Sequence, residues 1–278
     1  MIKLGAHQSI SGGHSEALKR INNIGGNCLQ IFSSSPRGWS FPKIDKKQIF
    51  QFINLKSQLK INPVYFHASY LINLADESKI GQLSINSLIN ELNLSSQLKI
   101  KGSIIHLGSY KGNYSNKNYQ ILIKNIKSIL KKTPRESLFI IENAGTRKIA
   151  QKLEELKKII EDVDDERIKI CLDTCHLFSN GYKFETEKEL ESFLDQLKKL
   201  DLLKKLDLWH LNDSKNEFNS GKDRHENIGQ GKIGLNEFKI LLNHPLTKNY
   251  PFIIETPGFN NEGPDKKNLD ILKSLIVY

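Results

Sequence analysis

Six carboxylates and imidazoles close strand-like apolar runs in this chain. They are His67 in VYFHA (64–68), His106 in GSIIHL (102–107), Glu142 in SLFIIE (137–142), Asp173 in IKICLD (168–173), His210 in LDLWHL (206–211) and Glu255 in PFIIET (251–256). Three more residues of the same types, His176, Asp223 and His225, lie just past strand ends. Imidazole and carboxylate ligands suit zinc, with manganese or iron as alternatives. Nine such side chains exceed what one ion needs, so the pattern reads as a cluster of metal ions. Ligands on neighbouring strand ends, ~4.8 Å apart, can share ions ~3.5–4 Å apart, as two-metal hydrolases do. Asp223 and His225 stand at i and i+2, which in an extended loop project to one side and could grip one ion. Asp173 and His176 are three apart where strand gives way to loop and need not serve the same ion. Each residue alone has a plainer reading, as a hydrogen-bonded structural histidine or a carboxylate paired with a cation. The set as a whole weakens that reading, because it takes five of the eight histidines. Of the other three, His14 and His244 read as surface or helix-end residues. His7 closes the first strand and is a candidate to support a ligand from behind.

The elements that must position these groups alternate from end to end. IKLGA (2–6) and NCLQIF (27–32) bring the strands to eight. Apolar stripes at helical spacing follow strands two to eight. Ile49, Phe52 and Ile53 are the first, and Ile85, Leu88, Ile89 and Leu92 the second. Tyr119, Leu122, Ile126, Ile129 and Leu130 come next, then Ile149, Leu153, Leu156 and Ile160. Thr186 and Glu189 make a capping box before Leu190, Phe193, Leu194 and Leu197. Leu235, Phe238, Leu241 and Leu242 follow strand seven, and Leu269, Leu272, Leu275 and Ile276 follow strand eight. Strict alternation favours an α/β fold of the (β/α)8 TIM-barrel type, one catalytic domain over residues 1–278, above an open doubly wound sheet. The longest loops are 33–44, with Pro36, Trp39 and Pro42, and 212–234. Both belong to the face where barrel strands end, where such enzymes keep their sites.

Composition bounds the setting. At 278 residues the chain can bury a large core. Its three cysteines do not suggest a disulfide framework. Cys28 and Cys171 sit in apolar runs and pack as small hydrophobes, whereas Cys175, inside Asp173-Thr174-Cys175-His176, reads as a neighbour of the metal set. With no signal-like start and no run near the ~18–20 apolar residues of a membrane helix, the expectation is an intracellular, cytoplasmic protein with no membrane partner. The formal net charge of +10 favours a polyanionic partner, since phosphate contacts release counterions. Lys-rich helix faces (Lys152, Lys157, Lys158) also serve solubility.

The chain resembles the endonuclease IV family of apurinic/apyrimidinic endonucleases over nearly its whole length. The motifs are GAHQSISGG (5–13), HASYLINLA (67–75), His-x-Gly at 106–108, IEN (141–143), CLDTCHLFSNGY (171–182), HLNDSK (210–215), DRHENIGQGKIG (223–234) and Glu-Thr at 255–256. The resemblance implies three zinc ions. His67, His106 and Glu142 would hold the first. Glu142 would bridge to a second, completed by Asp173, His210 and Glu255, and His176, Asp223 and His225 would hold the third. It implies a DNA-repair hydrolase that cuts duplex DNA 5′ to an abasic site, leaving a 3′-hydroxyl and a 5′-deoxyribose phosphate, with 3′-end trimming as a further activity. Glu142 and Glu255 would be the catalytic carboxylates, Glu255 orienting the attacking water. Arg37 matches the family's inserting arginine, and Tyr70 and Leu71 the residues that wedge beside the lesion. The implied protein acts as a monomer on DNA at the nucleoid.

One stretch departs from the family. After Glu142-Asn143 a longer Gly-rich segment is usual, whereas Ala144-Gly145-Thr146-Arg147 here runs almost directly into a helix. A competing reading is a metal-dependent sugar isomerase or epimerase on a related barrel, which would need only Glu142, Asp173, His210 and Glu255. It leaves the other five ligand-type residues without a purpose. A non-catalytic DNA-binding protein on the same fold would not need a complete ligand set.

Overall fold

The computed structural model describes residues 2–41, 43–112, 114–145 and 148–277. Pro42, and Thr146 and Arg147 of the departing stretch, lie outside the described residues. The eight expected runs form β1 (Lys3–His7), β2 (Cys28–Phe32), β3 (Val64–His67), β4 (Gly102–Ile105), β5 (Leu138–Glu142), β6 (Ile168–Asp173), β7 (Leu206–His210) and β10 (Pro251–Ile254). They pair in parallel around a closed barrel in the order β1-β10-β7-β6-β5-β4-β3-β2. A short antiparallel pair, β8 (Asp213–Ser214) with β9 (His225–Glu226), stands outside it in the loop after β7.

Side chains in a strand alternate between faces, so every second residue points into the barrel. Cys28, Tyr65, Ile104, Ile140, Cys171, Leu208 and Ile253, one from each strand except β1, pack together as the plug of the lumen. From β1 the matching residue is Gly5, opposite both Cys28 and Ile253. A Cβ on Gly5 would lie 1.9 Å from the Cys28 carbonyl oxygen, so β1 closes the barrel only without a side chain there. Two residues further along each strand, the inward position is His7, Gln30, His67, His106, Glu142, Asp173, His210 or Glu255. The apolar plug thus carries a polar ring one layer above it, at the C-terminal mouth.

Outside the sheet lie α1 (His14–Asn23), α2 (Lys46–Gln58), α3 (Lys79–Gln97), α4 (Asn116–Lys131), α5 (Leu153–Val163), α7 (Glu187–Lys199), α8 (Leu235–Asn243) and α9 (Lys266–Ser274). Each turns an apolar stripe inward. In α7 the buried set is Leu190, Phe193, Leu194 and Leu197, worth about 1.5–3 kcal/mol for each side chain removed from water. The Thr186–Glu189 capping box forms as expected, and Asp45 with Gln48 makes another at the start of α2. Among the described residues no helix is long and apolar enough to cross a membrane.

Three local expectations need correction. The chain does not pass almost directly from Asn143 into a helix. α5 begins at Leu153, and Ile149 is buried in the turn before it. That turn is held by backbone bonds from Ile149 to Gly108 and from Ala144 to Ala150, each 2.9 Å. Asp173 to His176 is not a loop but the start of a short helix, α6 (Thr174–Ser179). The last helix is shorter than the stripe: α9 ends at Ser274 with Leu275 as its cap, and Leu275 and Ile276 pack against the core from beyond it.

Glu91 on α3 is 3% exposed and accepts hydrogen bonds from Ser33 Oγ, just past β2, and Ser103 Oγ on β4. Burial pushes its carboxyl up to about 7, against the lowering by the two serines and His67. A folded-state value above the unfolded one means that stability falls as pH rises from about 4.5 to 7. Glu91→Gln is therefore expected to match the parent at pH 5 and to exceed it at pH 8 by roughly 2–3 kcal/mol. Urea unfolding at the two pH values reads the difference. Equal stability of the two proteins at pH 8 would show that the buried carboxylate carries no such cost.

Candidate metal centre

The barrel geometry brings all nine sequence-selected residues to one place. His67, Glu142, Asp173 and His210 end their strands, and His106 and Glu255 stand one residue beyond β4 and β10. His176 comes from α6, whose N-cap is Asp173, with Asp173 Oδ1 accepting from His176 N at 3.0 Å. Asp223 and His225 arrive on the loop between β8 and β9 and on β9 itself. Glu142 is the hub. Its Oε2 lies 3.1 Å from His67 Nε2 and 3.3 Å from His106 Nε2, and its Oε1 lies 3.1 Å from His210 Nδ1 and 3.4 Å from His176 Nδ1. Three compact groups result: His67, His106 and Glu142; Glu142, Asp173, His210 and Glu255; His176, Asp223 and His225. Asp173, Cys175 and His225 also converge. Burial pushes the Cys175 thiol well above its ordinary range, which disfavours the thiolate a metal would need.

The ring nitrogens show what the cluster is built for. His67 Nδ1 donates to Ala68 O at 2.9 Å, His176 Nδ1 to Asn143 O at 2.8 Å and His225 Nδ1 to Glu255 O at 3.4 Å. His210 donates through Nε2 to Gln30 Oε1 at 2.7 Å. In each ring the remaining nitrogen then turns a lone pair toward carboxylates. His176 Nε2 is 3.2 Å from Asp223 Oδ1, and His210 Nδ1 is 3.5 Å from Glu255 Oε2. His225 Nε2, 3.6 Å from both Asp173 Oδ2 and Asp223 Oδ1, is buried with no hydrogen-bond partner. Acceptors facing acceptors need cations between them. A ring that donates one N–H to a carbonyl and offers its other nitrogen is the arrangement metal-binding histidines adopt. The donor set therefore fits divalent ions.

Without them, protons would have to do the work. Burial opposes charge on His176, but Asp173, Asp223 and Glu142 outweigh it and raise the imidazole to about 10. Burial likewise opposes charge on Glu255, yet His210 and His67 hold its carboxyl down at about 2. His106 goes the other way: burial lowers it to about 3, leaving a neutral ring.

Around the ligand-type residues stands a supporting layer, of which the sequence offered His7 but not Gln30, Asn143 or Asn212. Gln30 Nε2 donates to Glu255 Oε1 and, at 2.9 Å, to His7 Nδ1. His7 thus backs Glu255 through Gln30, and burial lowers its imidazole to about 4. Asn212 Nδ2 donates to Asp173 Oδ2 at 2.6 Å, and its Oδ1 accepts from Glu255 N at 2.7 Å. Asn143 Oδ1 accepts from Asp173 N at 2.6 Å. The available signal was a polar residue inside an apolar strand, Gln30 in CLQIF, two residues past a lumen position.

Of the remaining candidates, Tyr70 lines the cleft beside the metal-type residues. Arg37 is exposed in the loop after β2. That loop is tied to the next by Ser69 Oγ donating to Pro36 O at 2.7 Å. Tyr70 is 67% and Leu71 37% exposed, unusual for such side chains, and Tyr70 leans edge-on against Phe32 with ring centres 5.5 Å apart. His14, at the start of α1, bonds Ser33 O through Nε2 at 3.0 Å, and His244 caps α8. Neither joins the site.

Gly145 carries a geometric demand. A Cβ there would lie 2.5 Å from Asp223 Cβ and 3.1 Å from His176 Cδ2. Gly145→Ala is expected to push Asp223 away from His176, at a cost of about 1–3 kcal/mol for the overpacking. Elemental analysis should then show about one fewer tightly held ion per chain. Unchanged metal content would mean that the loop yields instead of the ligand.

Residues 18–275 match the family described as xylose isomerase-like TIM barrel. The chain is 38% identical to "Probable endonuclease 4" of Sulfurihydrogenibium sp. (strain YO3AOP1), over 99% of this chain and all of that one. The crystal structure of endonuclease IV from Thermus thermophilus superposes with a TM-score of 0.85 at 28% identity, covering 98% of both chains. A D-tagatose 3-epimerase-like protein superposes at 0.74 with 17% identity over 99% of this chain and 97% of its own, a likeness of fold alone. The barrel, the converging imidazoles and carboxylates, and a full-length relative at 38% identity agree: this chain belongs to the endonuclease IV family.

Proposed function

We propose that this protein is a zinc-dependent DNA-repair hydrolase that cuts the phosphodiester 5′ to abasic sites in duplex DNA, leaving a 3′-hydroxyl and a 5′-deoxyribose phosphate. Trimming of blocked 3′ ends at the same centre is part of the proposal. So is action as a monomer on DNA at the nucleoid. The observation that carries it is the set of ring lone pairs turned onto shared carboxylates, in a member of this family. His67, His106 and Glu142 would hold one ion, Glu142, Asp173, His210 and Glu255 a second, and His176, Asp223 and His225 a third. Zinc suits the imidazole-rich set, with manganese or iron as an alternative at one position. Bound ions of this kind supply a nucleophile from water at neutral pH and neutralise phosphate charge.

The chain's own groups do the rest. Glu255, clamped by Gln30 and by Asn212 on its backbone, faces the cleft beside His7 and orients the attacking water. The cleft, about 310 Å³, runs from Phe32 and Tyr70 on one side to Lys148 and Asp223 on the other. Tyr70 and Leu71 offer apolar and planar surface for the gap a missing base leaves, where unstacking costs least. Arg37, in the loop after β2, would insert into the same gap. A sugar epimerase would use only the inner quartet, and the convergence of His67, His106, His176, Asp223 and His225 counts against it.

The test is an end-labelled duplex with one abasic-site analogue, incubated with and without chelator. Cleavage 5′ to the lesion that the chelator abolishes is expected. Turnover of a free ketose without any DNA cleavage would replace the proposal with the epimerase reading. Replacing Arg37 and Tyr70 together by Ala should leave zinc content unchanged and weaken discrimination between abasic and intact duplex by about 1–3 kcal/mol per lost stacking contact. An equal fall in affinity for both duplexes would make these residues plain backbone contacts.

A further inference from the structure

Beside the metal cleft lies a second, more open cavity of about 640 Å³, walled by Lys148, Asn216, Lys222, Asp223 and Arg224. Lys148 and Asp223 line both cavities, so the two adjoin. The one acid among the five, Asp223, is spoken for by His176 at 3.2 Å. The three cations are exposed, and among the described residues none of their side chains makes a hydrogen bond or ion pair. Three cations left without acids around one hollow is a net positive field that the fold does not use.

The hollow is also built firmly. On one side Ile149 N bonds Gly108 O at 2.9 Å and Ala150 N bonds Glu155 Oε2 at 2.8 Å, so the residues after Lys148 are pinned to the barrel. On the other, Asn219 N bonds Phe178 O at 3.0 Å, Gly221 N bonds Ser179 O at 2.9 Å, and Lys215 N bonds Arg224 O at 2.9 Å. Asn216 Oδ1 is buried without a hydrogen-bond partner. The same side chain lines the hollow, where its amide can offer N–H donors.

Resting on the proposed cleavage of DNA, we infer that this cavity seats a backbone phosphate next to the one being cut. Lys148 and Lys222 are its main contacts, and Asn216 is a third. The chemistry selects a phosphate. Among the described residues no aromatic ring lines the wall to stack a base. Lysines meet phosphate as point charges that need no fixed geometry. A polymer lying in the metal cleft must leave it, and the shared wall at Lys148 and Asp223 is a way out. Lys148 is then a positioning residue. It fixes the register of the strand over the metal groups from the very loop that departs from the family pattern.

The experiment uses the full-length, metal-loaded protein and the double variant Lys148→Ala/Lys222→Ala. A second double variant, Lys188→Ala/Lys239→Ala, removes the same charge from the exposed faces of α7 and α8. The probe is an abasic-analogue duplex, and a series in which each phosphate near the lesion is replaced in turn by a neutral methylphosphonate. In the parent, one methylphosphonate beside the cut should raise KM about three- to tenfold, the scale of one exposed charged contact. Lys148→Ala/Lys222→Ala should show a similar rise on the all-phosphate duplex, with kcat within about twofold. It should lose sensitivity to that one methylphosphonate, and Lys148→Arg should retain it. Equilibrium binding in chelator, read without turnover, should lose about 0.9 from its salt slope in Lys148→Ala/Lys222→Ala, the share of one phosphate, while the α7/α8 variant keeps the parent slope. An unchanged slope and KM, or retained sensitivity to the same methylphosphonate, overturns the phosphate seat. A parent that binds with these slopes yet cuts no abasic duplex overturns the nuclease reading and leaves the binding arm to judge the cavity by itself.

Discussion

Glu255→Gln should reduce turnover on an abasic duplex by about 10²–10⁴ while the protein stays folded and still binds DNA. The substitution preserves shape. Gln30 Nε2 would still find a carbonyl oxygen where it now donates to Glu255 Oε1, and Asn212 Oδ1 would still accept from the backbone N of residue 255. What disappears is the negative charge that His210 and His67 hold in place, and with it the group able to orient and deprotonate water in the cleft. Single-turnover cleavage, elemental analysis and binding to intact and abasic duplex separate the roles. Slow chemistry with full metal content is the expected result. Near-normal turnover at full metal content would remove Glu255 from the chemistry, and slow turnover with metal lost would make it a ligand only.

Stripping the metal should make the protein's stability respond to pH in the opposite sense from the loaded form. In the stripped protein, His176 is raised to about 10 and His210 well above its ordinary value, for both against the opposing effect of burial. A raised folded-state value adds stability that is complete below the unfolded value of about 6.5 and is lost as pH climbs toward the folded one. The carboxylates act at the other end, since Glu255 sits at about 2 and its contribution is lost only as pH falls below the ordinary carboxylate range. The chelated protein should therefore lose Tm, on the order of 5 °C, between pH 6.5 and 9. The loaded protein should not, because ligands that must shed protons bind metal more tightly as pH rises. The Tm gap between the two forms should widen across this window, which lies mostly above the value of about 7 for Glu91. A gap that narrows would mean that the imidazoles are neutral without metal, and that the carboxylates are held by something other than protons.

The local patterns of this chain were enough to fix its layers. A period of two in runs such as IKICLD, followed by a period near 3.6 in stretches such as Leu190, Phe193, Leu194 and Leu197, marks strands and helices by which face each can bury. Strict alternation of the two then leaves few architectures other than the closed barrel. The ligand-type residues were legible for the same reason: a charged or imidazole group at the end of an apolar strand is costly unless the strand end is a site. Contacts between distant segments were not legible. Gln30 reads as one polar residue in CLQIF until closure sets it against His7, His210 and Glu255, from three other strands or strand ends. The helix that carries His176 begins where the sequence suggested a loop, because Asp173 caps it with the same side chain that faces the metal centre. Lys148 read as nothing at all. Its place between two cavities depends on a turn held by Gly108 and Glu155, far along the chain or on another element. Periodicity reports what each segment buries, whereas the partner of each polar atom is set only when the strands close and bring residues tens to hundreds of positions apart within hydrogen-bond reach.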